Sequence, residues 1–388
     1  MSHPSIARMV ALFVLLWLVV GCASGPSTAT APVEFDRVVA AVERDFLRPE
    51  AFDAEWRRAC DAARGQMTDE TDDAALVSIL DGLVKRLGVS HTRVLGVDDR
   101  LTDDLRGIFS RDLDGIPRPT IGAEFRRSSI AWQVTAVLSG SPAEIAGLRV
   151  GDRVTHIDGG LAHPLRSLRG KSEIAIRGQR PGVGPIEMAI PVEQIGVGRE
   201  HLQALTASQR IETIDEVTIA FAHLFSGIHP AIETEFQRFV SEAATTADAF
   251  ILDLRNGYGG AHPGYLEPFF ENGDAPAVFP GPLIAIIDES TRSGKEWLAW
   301  EIATRERGTL VGSTTAGAFV GGRFREIVPG RVWLYLAVIP GPEGIGLEGV
   351  GQSADVPIVR NPFLPAEDLP LQRAIQIAID QVRSSSSP

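Results

Sequence analysis

The chain has 388 residues, of which 44% are hydrophobic and 22% are charged, a balance typical of a globular protein with two or three domains. Its formal net charge is −13, and the sequence contains no run of lysines and arginines. A nucleic-acid-binding function is excluded on this ground, because phosphate binding requires clustered basic side chains.

The first 21 residues have the pattern of an export signal. Arg8 precedes an apolar run, Met9 to Val20, that is too short for a comfortable bilayer span. The end of this run, with Cys22, resembles a bacterial lipoprotein box, although an ordinary signal or a membrane anchor is the alternative. The resemblance implies lipidation of Cys22, a tether over residues 22–33, and a periplasm-facing lipoprotein of the cell envelope, at the outer membrane.

Residues 34–115 show helical spacing and predict an N-terminal helical domain. The segment "FDRVVAAVERDFL" places its apolar side chains on one face, and "AALVSILDGLVKRLG" repeats the pattern. Cys60 lies in a helix-like stretch and is interpreted as a buried, small apolar residue. Since Cys22 is the one other cysteine, no intramolecular disulfide is expected.

Residues 116–195 change to the period of strands. A strand, a short helix after Ser141-Pro142, a Gly151-Asp152 turn and a further strand follow one another, an order that resembles a PDZ domain. Such domains bind an extended peptide at a sheet edge and its terminal carboxylate at backbone amides. The resemblance implies a peptide-binding site at Ile121, Gly122, Ala123 and Glu124. A packing module without a ligand is the alternative.

Residues 205–385 alternate strand and helix signals, which predicts an α/β domain with a mainly parallel sheet. The predicted strands include "FILDL" (250–254), "PLIAIID" (282–288) and "TLVG" (309–312). Ligands usually bind at loops that follow the carboxyl ends of such strands. The loops "RNGYGG" and "STRSG" are therefore the candidate site segments.

Ser293, at the start of a predicted helix, admits two interpretations. With Glu296 it matches a capping box, in which the serine oxygen accepts a helix amide. A serine at a helix N-terminus can also attack a carbonyl, because the backbone amides there stabilise the developing oxyanion. The local sequence does not decide between the two.

A nucleophilic serine needs a base. Lys295 is a poor candidate, because two positions further along a helix points to another face. Of the eight histidines, His91 is distinctive, since it follows Ser90 where the last helix of the first domain ends. His91 is therefore the candidate base.

The Ser-His-Thr segment, the PDZ-like module, "DLRNGYGG", "STRSGKEW" and "LVGSTTAG" together resemble the C-terminal-processing, or tail-specific, serine peptidases. The resemblance covers roughly residues 35 to 360 and implies a multidomain α+β and α/β fold with a crotonase-like α/β catalytic domain. One branch of the family uses a Ser-Lys dyad. Its lysine position is Ala318 here, so the dyad is absent.

The other branch, which resembles the tricorn protease core, uses a Ser-His-Ser-Glu tetrad. By resemblance the nucleophile is Ser293, the base is His91, and Ser90 and Glu348 of "GLEGVGQSADVPI" orient the imidazole. The oxyanion hole would consist of Gly294 with Gly259 and Gly260. The glycine pair is also compatible with a simple turn.

The resemblance thus implies a serine endopeptidase that cleaves polypeptides near C-termini or in unfolded segments, without metal or cofactor. No His-Glu-x-x-His motif or pair at metal-ligand spacing is present in the sequence. A catalytically silent, peptide-binding adaptor remains an alternative, because Gly294, Lys295 and Tyr258 depart from the family pattern. A non-peptide hydrolase is a further alternative, against which the PDZ-like module argues.

Overall fold

The computed structural model describes residues 30–128, 131–163, 166–273, 275–358 and 367–385. The predicted export signal, Cys22 and nearly all of the tether lie outside these residues. Within the described ranges, no helix has the length and apolar character that a bilayer span needs.

The N-terminal unit contains the predicted amphipathic helices and one strand. Its elements are α1 (Ala31–Asp45), α2 (Ala54–Arg64), α3 (Asp73–Val84), β1 (Arg93–Gly96) and α4 (Arg100–Ser110), with short 3-10 helices at Pro49–Ala51 and Lys85–Leu87. Phe35, Val38 and Val42 of α1 pack with Leu76 and Leu80 of α3 in one core. The side chains of Asp53 and Asp72 cap α2 and α3 by accepting backbone amides.

The second unit is a strand-rich module that has the predicted PDZ-like order. Its elements are β2 (Arg118–Thr120), β3 (Ala123–Arg127), β4 (Trp132–Val137), α5 (Pro142–Ile145), β5 (Arg153–Ile157), β6 (Gly160–Leu161), β7 (Glu173–Arg180), β8 (Gly184–Pro191) and β9 (Glu193–Ile195). The sheet order is β3-β4-β5-β7-β8, and β3 is an edge strand. The Ser141 hydroxyl accepts the Glu144 amide at the start of α5, as the sequence predicts.

The third unit is an α/β domain. Its elements are α6 (Val197–Ser208), β10 (Arg210–Ile214), β11 (Val217–His223), α7 (Pro230–Ala243), β12 (Ala249–Asp253), β13 (Leu283–Ile287), α8 (Gly294–Thr304), β14 (Thr309–Gly312), β15 (Gly321–Val328), β16 (Val332–Ile339), β17 (Val356–Pro357) and α9 (Leu369–Ser385), with a 3-10 helix at Pro263–Phe269. The main sheet has the order β10-β11-β12-β13-β14-β17 and is parallel from β11 onward. The expected mainly parallel sheet is confirmed.

Both faces of this sheet are covered by helices. Phe250 and Leu252 of β12 pack in the core that contains residues of α7 and α8. Ile251, between them, points to the opposite face and packs in the core that contains Ala374 and Ile377 of α9. Because β12 and β13 are buried on both faces, their sequences are almost continuously apolar.

The hairpin β15-β16 departs from the main sheet and joins the N-terminal unit. β1 pairs antiparallel with β16, with Val94 opposite Leu334, and the hairpin packs in the same core as α1 and α3. The sequence predicts helices for most of residues 34–115. The segment after His91 is the strand β1, which gains its hydrogen bonds from a partner more than two hundred positions away. Because α4 follows β1, the expectation that the last helix of this unit ends before Ser90 is wrong. The pairing of β1 with β16 holds the turn with Ser90 and His91 against the third unit.

Candidate active site

A cavity of about 590 Å³ lies where the N-terminal and α/β units meet. Ser90 and His91 enter it from the turn before β1, Gly259 and Gly260 from the loop after β12, and Ser293 from the start of α8. The structure therefore brings the predicted nucleophile, base and orienting serine to the lining of one cavity. The position of Ser293 follows from the carboxyl end of β13, where the loops of a parallel sheet converge, whereas Ser90 and His91 come from the turn before β1 of the separate antiparallel sheet.

Glu348, Ser90 and His91 form a continuous chain of hydrogen bonds. The Ser90 hydroxyl donates to Glu348 Oε2 at 2.9 Å and lies 2.8 Å from His91 Nδ1. Glu348 Oε1 accepts the Ser90 backbone N–H at 2.7 Å. Glu348 Oε2 also accepts the N–H groups of Phe319 at 2.6 Å and Val320 at 3.2 Å. The carboxylate thus accepts four hydrogen bonds, and its Oε2 atom fixes the orientation of the Ser90 hydroxyl.

This chain specifies the tautomer of His91. Since the Ser90 hydroxyl donates its hydrogen to Glu348, its oxygen is available to accept Nδ1–H of His91. The other ring nitrogen, Nε2, then carries a lone pair. Burial, and secondly the Arg292 guanidinium, lowers the pKa of His91 to about 3, so the ring is neutral at physiological pH. A neutral imidazole with a free Nε2 can accept a proton.

Ser293 has an unusual backbone conformation, with φ 55° and ψ −128°. His91 also has a positive φ, 57°. Non-glycine residues in such conformations cost about 1–3 kcal/mol each and are enriched at functional sites. Two acceptors, one backbone carbonyl and one side-chain carboxylate, hold Ser293 in place, because its N–H donates to the Ala318 carbonyl at 3.0 Å and to Glu296 Oε2 at 2.9 Å.

The two halves of the predicted capping box at Ser293 differ. The Glu296 half is a full hydrogen bond from Ser293 N–H. In the other half, the Ser293 side chain lies within capping-box reach of the Glu296 amide but makes no full hydrogen bond with it, and that amide donates to the Ser293 carbonyl at 2.8 Å. The hydroxyl is therefore not committed to capping.

Glu296 has a larger part than the sequence analysis gave it. Its buried carboxylate accepts the Thr315 hydroxyl at 2.7 Å and the amides of Gly317 and Ala318 at 2.7 and 2.8 Å, besides Ser293 N–H. It thereby ties the start of α8 to the loop after β14. Ala318, the position of the lysine in the dyad branch, is thus in contact with the backbone of Ser293. The capping-box motif was the sequence signal for Glu296, but it predicted one bond only.

Lys295 points away from Ser293, as predicted. Its ammonium group is fully buried and donates to the carbonyls of Phe225 at 3.2 Å, Arg255 at 3.4 Å, and Asn256. Burial lowers the pKa of Lys295 to about 8. The contacts with Arg255 and Asn256 hold the loop that continues to Gly259 and Gly260.

Gly259 lies directly against Ser293. A Cβ atom at Gly259 would overlap the Ser293 Cβ and come within 2.9 Å of its Oγ and 3.0 Å of the Gly294 nitrogen. Gly294 is the first residue of α8, and an amide at that position has no acceptor in its own helix. The predicted oxyanion donors are therefore adjacent to the hydroxyl.

The predicted peptide-binding residues of the PDZ-like module contact the other units. Ile121, Gly122 and Ala123 are buried; Arg100 of α4 donates to the Ala123 carbonyl at 2.7 Å. The Glu124 carboxylate accepts the Gly257 amide at 3.1 Å. Burial raises the pKa of Glu124. The start of β3 thus lies beside the loop that carries Gly259, and only later β3 residues are exposed along the sheet edge.

Two further residues at the site escaped the sequence analysis. The ring of Tyr335 contacts the His91 ring edge-on with centroids 5.3 Å apart, and Arg292 lines the cavity beside Ser293.

Cys60 is a free, half-buried thiol, and burial raises its pKa to about 11. Among the residues that the structure describes, no three His, Cys, Asp or Glu side chains are grouped to hold a metal ion.

Sequence comparisons identify related proteins. The PDZ domain family model matches residues 133–161. The carboxyl-terminal-processing protease of Synechocystis sp. is 28% identical over 218 residues, which cover 48% of this chain and 49% of that protein. The chloroplastic carboxyl-terminal-processing peptidase 1 of Arabidopsis thaliana is 21% identical over 278 residues, covering 62% and 53%. The chain spans about half the length of the curated relatives it matches.

Solved structures share the fold. The photosystem II D1 C-terminal processing protease has a TM-score of 0.55 at 17% identity, covering 86% of this chain and 94% of that chain. The tricorn protease has a TM-score of 0.54 at 18% identity, covering 91% of this chain and 37% of that chain. Both likenesses extend over all three units and show a common architecture.

Proposed function

We propose that the chain, which is similar to carboxyl-terminal-processing proteases, is a serine endopeptidase of that family and cleaves polypeptides through an acyl-enzyme at Ser293. The observation that carries the proposal is the hydrogen-bonded chain Glu348–Ser90–His91 in the cavity that Ser293 enters. An ordered proton acceptor that lines the same cavity as a serine at a helix start supports nucleophilic catalysis.

In the proposed mechanism, Nε2 of His91 accepts the Ser293 proton while Oγ attacks the substrate carbonyl. The amides of Gly294 and of the Gly259–Gly260 pair stabilise the oxyanion. His91 then returns the proton to the leaving amine, and a water molecule hydrolyses the acyl-enzyme by the same route. Glu348 and Ser90 stabilise the imidazolium, because a negative charge lies behind Nδ1 across one hydroxyl.

The proposed substrates are polypeptide C-termini or unfolded segments, and the proposed location is the bacterial cell envelope. The support for the substrate class is the PDZ-like module and the relatives named for carboxyl-terminal processing. The support for the location is the export signal with Cys22, whose acylation would anchor the protein at the outer membrane.

The test is cleavage of unfolded proteins and peptides by the detergent-solubilised full chain, with mass spectrometry of the products. Ser293→Ala and His91→Ala are expected to abolish cleavage and to retain the thermal unfolding midpoint. The matched control is Ser353→Ala, an exposed serine outside the cavity. Undiminished cleavage by Ser293→Ala would exclude the assigned nucleophile. Peptide binding without any cleavage by the unaltered chain would instead identify an adaptor.

A serine-reactive fluorophosphonate provides a second measurement that does not need the natural substrate. The unaltered chain and Ser353→Ala are expected to be labelled at Ser293, whereas His91→Ala should react at least about 100-fold more slowly because the base is lost. Labelling of Ser293 without cleavage of any polypeptide would favour the non-peptide hydrolase.

A further inference from the structure

The charged side chains that line the cavity are all of one sign. Among its described lining residues, Lys85, Arg93 and Arg292 are basic, and none is Asp or Glu. This contrasts with the whole chain, whose formal net charge is −13. Because the lining of the cavity is positive, it attracts anionic groups of a ligand more strongly than neutral peptide segments.

Two of the three cations are only half neutralised. Lys85 and Arg93 both bind the Asp81 carboxylate, each at 2.7 Å, so that two positive charges share one negative charge. The same carboxylate accepts the Val94 amide at 3.0 Å. This pair therefore contributes one net positive charge to the rim of the cavity near β1.

Arg292 is the third cation, and within the described ranges its guanidinium group makes no hydrogen bond or ion pair. It is partly buried, precedes Ser293 directly, and lines both the main cavity and a neighbouring cavity of about 300 Å³. Two carboxylates, Glu124 and Glu289, line the second cavity, but they bind the Gly257 amide at 3.1 Å and the Ser313 hydroxyl at 3.2 Å. A guanidinium is seldom kept partly buried without an acceptor.

The lining of the main cavity also contains a set of apolar and aromatic side chains. α4 supplies Leu101, Leu105, Ile108 and Phe109, and Val320 and Tyr335 complete this set. A substrate that fills the cavity thus meets apolar side chains as well as Arg292, the residue next to Ser293.

On the basis of the proposed peptidase function, we propose that Arg292 binds a substrate carboxylate next to the scissile bond. The enzyme then selects segments in which an apolar residue adjoins an acidic side chain or a free C-terminus. The planar guanidinium presents two parallel N–H donors, which match the two oxygens of a carboxylate. The partial burial of Arg292 reduces competition from water for this contact.

Two sets of matched peptides test this proposal. The first set is capped at both ends and carries Asp or Asn next to the cleaved bond. The second set ends shortly after that bond with a free carboxylate or a carboxamide. The unaltered chain is expected to cleave the carboxylate member of at least one set with a kcat/KM about 10- to 100-fold higher than its neutral partner. The responding set identifies the source of the carboxylate.

The same peptide pairs are then measured with Arg292→Gln, Arg292→Lys and Arg58→Gln. Arg58 is exposed on α2 and does not line the cavity, so its variant should keep the full preference. In Arg292→Gln the ratio of kcat/KM values is expected to fall to within about twofold of unity, and Arg292→Lys should retain part of it. A preference that persists in Arg292→Gln overturns the proposal, because the carboxylate is then bound elsewhere, at the Lys85–Arg93 pair or at the PDZ-like module.

A peptide-binding measurement distinguishes the proposed role of Arg292 from the proposed peptidase function. Fluorescence anisotropy with the Ser293→Ala chain should show tighter binding of the carboxylate peptides, and the additional Arg292→Gln change should remove the difference. Selective binding without cleavage by the unaltered chain would contradict the peptidase function only. Equal kcat/KM values for both members of both sets in the unaltered chain would overturn the role of Arg292, even if Arg292→Gln did not fold.

Discussion

Replacement of Glu348 by Gln tests the chain that orients His91. The carboxylate accepts four donors, with Ser90 N–H on Oε1 and the Ser90 hydroxyl and the amides of Phe319 and Val320 on Oε2. A glutamine has one oxygen and one NH2 group. In one orientation its NH2 group faces the Ser90 N–H, and in the other it faces the N–H groups of Phe319 and Val320, so two donors oppose each other in either case. If the NH2 group faces the Ser90 hydroxyl, the Ser90 oxygen must accept a hydrogen bond from that group. Its hydrogen bond with Nδ1–H of His91 is then weakened.

The magnitude follows from the lost charge-assisted hydrogen bond behind the imidazolium. Such a bond contributes about 1.5–3 kcal/mol. Because about 1.4 kcal/mol corresponds to a tenfold change in rate, we expect kcat to fall by about 10- to 150-fold in Glu348→Gln. KM should change much less, since the carboxylate stabilises a charge that develops only in the transition state.

The assay is steady-state cleavage of one fluorogenic peptide by Glu348→Gln, Ser90→Ala and the double variant. If Glu348 acts on His91 through Ser90, the double variant should be no slower than Ser90→Ala alone. Glu343→Gln is the matched control, because this glutamate is exposed in the same loop. Additive losses in kcat, or full activity of a folded Glu348→Gln protein, would refute the reasoning.

Two further outcomes are expected. Gly259→Ala should abolish turnover, because its Cβ would overlap Ser293, whereas Gly82→Ala, which meets nothing within 4 Å in α3, should raise the unfolding midpoint slightly. The plot of kcat/KM against pH should show no ionisation near pH 6.5, because burial first and Arg292 second lower the pKa of His91 to about 3. An ionisation at pH 6.5 would show that the imidazole ring is solvated. The unfolded histidines bind protons below pH 6.5, whereas buried His91 and His201, with pKa values of about 3 and 4, do not. Their contribution to stability is therefore complete above pH 6.5 and is lost as the pH falls towards 4, which calorimetry would detect as a falling midpoint.

Local patterns were sufficient for the parts of the fold whose stability is local. The apolar runs of β12 and β13 indicate strands that are buried on both faces. Ser141 indicates the start of α5, because its side chain caps that helix. The position of Ser293 follows in the same way, since a helix start after a buried strand is visible in the sequence. These signals depend on neighbours within a few positions of each other.

The assembly of the site depends on contacts that no local pattern contains. The Ser90 hydroxyl meets Glu348 across 258 positions, and β1 receives its hydrogen bonds from β16. The positive φ angles of His91 and Ser293 are likewise imposed by surrounding contacts, because both residue types avoid that region when unconstrained. The unpaired state of Arg292 is a property of its surroundings as well. Family resemblance supplied the proposed pairing of Ser90 with Glu348, and residue periodicity could not have done so.

The hairpin β15-β16 connects these long-range contacts. Phe319 and Val320 immediately precede it and Glu348 follows it, so the hydrogen bonds of their amides to the Glu348 carboxylate close the base of the hairpin. The far side of the same hairpin pairs with β1, which begins two residues after His91. One element therefore sets both the position of His91 and the carboxylate that orients it. Because these positions depend on a single hairpin, loss of its pairing with β1 would remove the base and its orienting group together, while Ser293 would remain fixed by Glu296 and Ala318.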